Sequence, residues 1–277
     1  MFIRLRTLCA ALPLVLVTAF APAALAEEGP SPPISELPPS EQARERDAAI
    51  DRGFLTSHAE TIGKGKWAIN AYELVFLGLT YGFSDDIQVS LSTLLPVVED
   101  IPLVLALQPK FVLARTPETV VALRVPFTYV NDLSSNSNSA GTLGAGLVVD
   151  HYFGPTGRIG LHAGLLVTGV FGDFTFSDGN NDGADDSDRV GFANGAVFEL
   201  DLGASFGVSN AVKIIVEGQI FAAAGEGGFE VADVVLINYG VRIHGSGLAG
   251  DLGFVRPIGI DSSLILGVPY VAISARF

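Results

Sequence analysis

From Trp67 to the end of the chain, apolar and polar residues alternate with a period of two, a rhythm that predicts strands and not helices. Twelve segments carry it: 67–73, 75–83, 87–95, 102–113, 119–130, 140–153, 159–171, 190–208, 212–224, 233–244, 251–257 and 264–277. In the last of them Ile265, Val271, Ile273, Ala275 and Phe277 share one face, while Tyr270, Ala272, Ser274 and Arg276 share the other. Two places are weak. No turn signal separates 67–73 from 75–83, and 251–257 is short, so ten strands is the alternative to twelve.

A repeated turn supports the strand assignment. Tyr81-Gly82-Phe83-Ser84-Asp85-Asp86-Ile87 returns as Phe206-Gly207-Val208-Ser209-Asn210-Ala211-Val212, with a looser copy at Phe153 to Ile159. Each copy has the aromatic, glycine, hydroxyl and turn-forming residues of a tight hairpin. Pairing Phe83 with Ile87 sets Tyr81 opposite Val89 and Leu79 opposite Leu91. Pairing Val208 with Val212 sets Phe206 opposite Ile214 and Leu200 opposite Ile220. Both hairpins then show an unbroken apolar face, and a one-residue slip would move Lys213 onto it.

Short connections at 84–86, 114–118, 154–158, 209–211 and 245–250 alternate with others that include 131–139, 172–189, 225–232 and 258–263. An even number of strands with short turns at one end predicts an all-β fold: a transmembrane antiparallel up-and-down barrel of about 12 strands, its short turns on the periplasmic side.

Composition narrows the picture. The mean hydropathy is high, +0.45, yet no segment beyond the first residues reaches the ~18 apolar positions of a membrane helix. A lipid-facing barrel reconciles the two. Residues 1–26 read as a cleaved secretory signal, with Arg4 and Arg6, an apolar middle from Leu8 to Phe20, and Ala24-Leu25-Ala26 at the end. The one cysteine, Cys9, lies within it, so the mature chain holds no disulfide and no thiolate metal site. Thirty acidic residues against 16 basic give a formal charge of −14, which disfavours nucleic acid as a partner.

Residues 27–64 stand outside the alternation. Five prolines between Gly29 and Ser40 make a spacer, and 40–50 is a candidate short helix capped by Ser40. Two readings compete, a Pro-rich acidic periplasmic tail and a plug folded into the lumen. The tail is preferred. The organisation expected is therefore a signal at 1–26, a tail at 27–64 and a barrel at 65–277.

The Tyr81–Ile87 turn, the start WAINAYEL from Trp67 to Leu74 and the ending GVPYVAISARF resemble uncharacterised, porin-like outer-membrane β-barrel proteins of Gram-negative bacteria, over roughly Gly65 to Phe277. The resemblance implies outer-membrane lipid around the barrel. It also implies that Val271, Ile273, Ala275 and Phe277 present the signal read by the barrel-assembly machinery.

Alternation turns Lys110, Arg124, Lys213, Arg242, Arg276, Asp150, Glu199, Asp201 and Glu217 inward, with Gln108, Thr128, His162, Gln219 and Asn238. Near-balance of charge suggests a cross-linked interior, preferred over a water-filled path. Glu199, Asp201 and Glu217 are expected to cluster and to be neutralised by Arg242. In the 173–189 loop, Asp178, Asn180, Asp182, Gly183 and Asp186 match part of a calcium loop, but Asp185 and Arg189 break the pattern, leaving a solvated acidic loop.

His151, His162 and His244 fall at the short-turn end and His58 precedes the barrel. No Ser–His pair is placed at the outer leaflet, and no G-x-S-x-G, H-E-x-x-H, P-loop or dinucleotide motif occurs. The expectation is no enzyme, no catalytic residue, no cofactor and no metal. The function expected is a narrow passive pore for small solutes. The alternatives are a sealed envelope barrel and a lipid-modifying enzyme.

Overall fold

The computed structural model describes residues 36–72, 76–94, 103–131, 139–154, 157–172, 174–176, 190–192, 195–225, 228–259 and 267–277. Its first strands are β1 (Trp67–Tyr72), β2 (Phe76–Gly82), β3 (Ile87–Leu94), β4 (Leu103–Arg115), β5 (Thr119–Arg124) and β6 (Phe127–Asn131). They are followed by β7 (Ser139–Phe153), β8 (Ile159–Gly172), β9 (Phe174–Phe176), β10 (Val190–Phe192) and β11 (Gly195–Gly207). The last are β12 (Val212–Gly225), β13 (Gly228–His244), β14 (Leu248–Ile258) and β15 (Val268–Arg276). A single helix, α1 (Pro39–Arg46), precedes them among the described residues.

Every pairing is antiparallel, and the sheet closes where β1 meets β15, with Ala68 opposite Arg276 and Tyr72 opposite Ala272. Trp67 and Phe277 exchange both backbone hydrogen bonds, at 3.1 and 2.8 Å. β5 and β6 are two halves of one strand, both lying between β4 and β7, so the barrel has 12 strands. The break falls at Val125-Pro126, where proline offers no ladder donor. The ten-strand alternative is excluded.

The register matches the hairpin reasoning residue for residue: Tyr81 faces Val89, Leu79 faces Leu91, Phe206 faces Ile214 and Leu200 faces Ile220. Three boundaries differ from expectation. The segment 190–208 is not one strand: β10 pairs with β9 in a separate two-stranded sheet, and the barrel strand β11 begins at Gly195. The segment taken to be short, 251–257, is the eleven-residue β14, because Gly245 N–H bonds Leu248 O and shrinks the turn to 245–247. The expected loop 225–232 is mostly strand, with Gly225 paired to Gly228. The calcium-like positions 178–186 lie outside the described residues.

Outward positions carry Leu79, Leu91, Leu147, Leu165, Leu202 and Leu252, all exposed. Such a continuous apolar surface is untenable in water and is what acyl chains solvate. Trp67, Tyr81 and Phe83 pack at the short-turn rim, tilted and edge-to-face, with ring centroids 4.4 and 4.7 Å apart, while Phe76 and Phe171 stand at the other end, so aromatic residues bound the belt. Val271 and Phe277 are exposed on the same outer face.

The lumen is not empty. Residues 36–66 do not form the free tail preferred from sequence; their side chains and backbone pack against the inner wall. A proline-rich, charged segment with no periodicity reads as solvated, but here the barrel wall satisfies its polar groups.

Candidate functional site

The site is the interface between this internal segment, the plug, and the barrel wall. α1 begins on Pro39 with Glu41 in its first turn and ends on Arg44 and Arg46, an order that complements the helix dipole. Ser40 does not cap it. Its N–H donates to Pro117 O at 3.0 Å, fastening the helix to the β4–β5 turn. At the other end of α1, Arg276 donates to Arg44 O (2.8 Å) and Ser246 O (2.9 Å). The helix therefore lies across the rim of the short turns.

After α1 the chain enters the lumen. Asp47 sits between Lys213 and Arg242, forming ion pairs with both. Burial alone would raise the Asp47 carboxyl, but Lys213, Arg242 and His244 outweigh it and hold it far below the usual carboxylate range. Arg242, fully buried, donates to Ala49 O (2.6 Å), Arg52 O (3.0 Å) and Gly53 O (2.9 Å). Three plug carbonyls within five residues thus converge on one guanidinium, whose fork geometry suits several carbonyls at once.

Arg52 reaches the neighbouring wall strands β14 and β15, bonding Asp251 (2.7 Å) and Ser274 (2.6 Å), with its guanidinium 4.8 Å from the Tyr72 ring centroid. Burial works against the Arg52 charge, while Tyr72 and Asp251 more than restore it, so its proton is held more tightly than usual. Asp251 also accepts from Arg242 at 2.6 Å, so one wall carboxylate serves a wall and a plug cation.

At mid-plug the Glu217 carboxylate accepts from Phe54 N–H (3.1 Å to each oxygen), Leu55 N–H (3.2 Å) and the Thr56 hydroxyl (2.8 Å). Phe54 packs with Ile215, Tyr270 and Ala272, and Tyr270 donates its hydroxyl to Phe54 O at 2.6 Å. Farther along, Asp150 accepts from Ala59 N–H (2.8 Å) and Glu60 N–H (3.3 Å). Lys110 donates to Asp51 O and Glu60 O at 3.0 and 2.9 Å. Glu60 is clasped by Arg115 at 2.8 Å to both oxygens. Burial raises its carboxyl and Arg115 only partly offsets this, so it titrates above its ordinary value. Burial also lowers His58, beyond what Asp150 returns.

The sequence-derived lumen residues thus all point inward, but their partners were misassigned. Asp201 does face Gln219, and Gln219 donates to it at 3.2 Å. The expected trio of carboxylates does not share a cation. Arg124 neutralises Glu199 (3.2 Å) and Asp201 (2.9 Å) across the lumen, Glu217 serves the plug, and Arg242 serves Asp251 and Asp47. Asp251, Arg115 and every plug residue were missed. Asp251 had a signal, because alternation along β14 sets it inward between the outward Gly250 and Leu252. His162, at the short-turn end as expected, lies against the plug's His58 with ring centroids 4.5 Å apart.

Beyond the plug, a cavity of about 210 Å³ remains, lined by polar side chains that include Asn70, Ser90, Ser92, Gln108 and Thr128. Polar wall and residual volume lie on the side away from the short-turn rim. The arrangement is a cup: closed by the plug at one end, polar and hollow toward the other.

No family model and no curated protein matches the sequence. Solved structures do resemble the fold. The NanC porin aligns at 6% identity and a TM-score of 0.42, over 76% of this chain and 97% of that one. OmpT of Vibrio cholerae, described as outer-membrane expressed, aligns at 10% identity and 0.37, over 73% and 64%. LpxR from Salmonella typhimurium aligns at 9% and 0.38, over 76% and 98%. These are likenesses of fold alone.

Proposed function

We propose that this protein is an outer-membrane barrel that is closed at rest by its own amino-terminal segment and that conducts small polar solutes when that segment leaves the lumen. One observation carries the reading. The plug is held mainly by ion pairs and hydrogen bonds to the wall, with only small apolar clusters such as Ala59 against Val120, Ala122 and Val148. A polar interface can exchange its partners for water and so can open without exposing a large apolar core. The lumen behind it is polar, as a solute path requires.

The narrow passive pore expected from sequence becomes, in this reading, a gated one. The sealed envelope barrel is the second reading, favoured by the completeness of the ion pairing around Asp47 and Asp251. Among the described residues Glu199 and Asp201 are both taken up by Arg124, which supports a non-catalytic role for that carboxylate pair.

Planar-bilayer recording separates the two. The wild-type protein should show rare, brief conductance steps. A cysteine pair at Ala59 and Ala122, which share one buried cluster, should abolish them when oxidised and restore them on reduction. Absence of steps in wild type, in the reduced pair and in a plug-destabilised variant alike would reject conduction in favour of the sealed barrel.

A further inference from the structure

We propose that His58 and His162, the latter oriented by Asp150, form a binding site for one divalent transition-metal ion, of which zinc is the type, and that the ion pins the plug to the wall. His58 comes from the plug, Asp150 from β7 and His162 from β8, so the site exists only when the plug is docked. All three are buried, and each offers one donor atom within 4.8 Å of the others. Metal–nitrogen bonds of ~2.0–2.1 Å in a tetrahedral set need donors about 3.3 Å apart, so atoms as far apart as 4.8 Å would close by about 1.5 Å.

Two details make this more than proximity. Asp150 Oδ1 lies 2.9 Å from His162 Nδ1, and a carboxylate only accepts, so the ring proton is on Nδ1. The lone pair is then on Nε2, which is buried and has no hydrogen-bond partner. An imidazole oriented by a carboxylate with its other nitrogen bare is the arrangement that precedes metal binding. Leaving that nitrogen unpartnered costs free energy that a ligand would recover. Second, a cavity of about 50 Å³ touches His58, Asp150 and His162 and continues to Gly157 and Asn210 at the short-turn rim, giving an ion a way in. Imidazole donors suit zinc, nickel or copper and not calcium, which takes oxygen.

The inference rests on the docked plug but not on conduction. Its test is calorimetric titration of zinc sulfate into the full chain, purified in detergent and stripped with EDTA, with calcium chloride as control. One equivalent of zinc should bind, and calcium should not compete. His58→Asn and His162→Asn should each weaken binding by at least tenfold, and Asp150→Asn by roughly ten- to a hundredfold. Should a variant fail to fold, cobalt added to the wild-type protein should show the visible absorption of a nitrogen- and oxygen-ligated tetrahedral ion. Less than one equivalent in wild type, or full binding retained in both histidine variants, would overturn the site. If zinc binds and slows tryptic cleavage at Arg52 while no condition yields conductance, the metal site stands and the gated-channel reading falls.

Discussion

The contact between Gly53 and Glu217 is where the plug is easiest to dislodge by design. A Cβ added to Gly53 would lie 1.4 Å from Glu217 Oε1 and 2.6 Å from Thr56 Oγ1, so any side chain there must push the carboxylate off its donors. Those donors are two backbone N–H groups and one hydroxyl, from Phe54, Leu55 and Thr56. Each buried donor stripped of its partner costs ~1–3 kcal/mol, less whatever water recovers, so Glu217→Ala should weaken docking by about 3–5 kcal/mol. At ~1.4 kcal/mol per tenfold, the undocked population rises by roughly 10²- to 4 × 10³-fold. Gly53→Ala should cost about 2–3 kcal/mol by itself. In the double variant the methyl enters space that the carboxylate has left, so the two effects should fall short of additivity by about 1–2 kcal/mol. Tryptic cleavage at Arg52, buried at 5% exposure and bonded to Asp251, reports undocking, because its rate follows the open population when redocking is fast. Wild-type cleavage rates in Glu217→Ala, with the barrel still folded by its heat-dependent gel mobility, would refute this account. Strict additivity would show that the two residues do not meet.

Three further outcomes are expected. Asp47 is held below its free value near 3.8 when docked, so its contribution is fully present above that pH and is lost as pH falls further; hydrogen exchange of plug amides should differ between wild type and Asp47→Asn at pH 6, and the difference should begin to narrow only below about pH 4. Arg124→Ala leaves the Glu199 and Asp201 carboxylates without their cation and should destabilise the barrel by about 3–5 kcal/mol. It should leave cleavage at Arg52 unchanged, whereas a parallel rise would mean that the Arg124 cluster also holds the plug. Leu147→Arg, where Leu147 pairs with Leu165 on the lipid face, should lower folding stability in liposomes by about 2–4 kcal/mol, while the same change in a loop should not.

Much of the barrel was legible because two solvents write on alternate positions. Lipid requires Leu79, Leu91, Leu200 and Ile220 on one side, and the hairpin turns at 84–86 and 209–211 then leave one register that keeps them there. The plug stood only as the less favoured reading for the converse reason. Its backbone groups are satisfied by wall side chains, as when Phe54 N–H meets Glu217 from 163 positions away, and such contacts impose no period on the local sequence. A trace of the plug did exist in the wall. The strand register sets Lys110 directly opposite Arg124 and Lys213 directly opposite Arg242, two like-charged pairs on inward positions. Like charges facing each other across a ladder are destabilising, and inside a narrow barrel water screens them poorly. Summing the lumen charges hides this, because the total nearly balances while those neighbours do not. Lys213 and Arg242 need an anion that the wall does not place beside them both, and Asp47 supplies it from the plug. Lys110 needs acceptors, and the carbonyls of Asp51 and Glu60 supply them. Paired inward cations without a wall anion between them are therefore a sign that something else occupies the lumen, and in this chain the occupant is its own segment before Trp67.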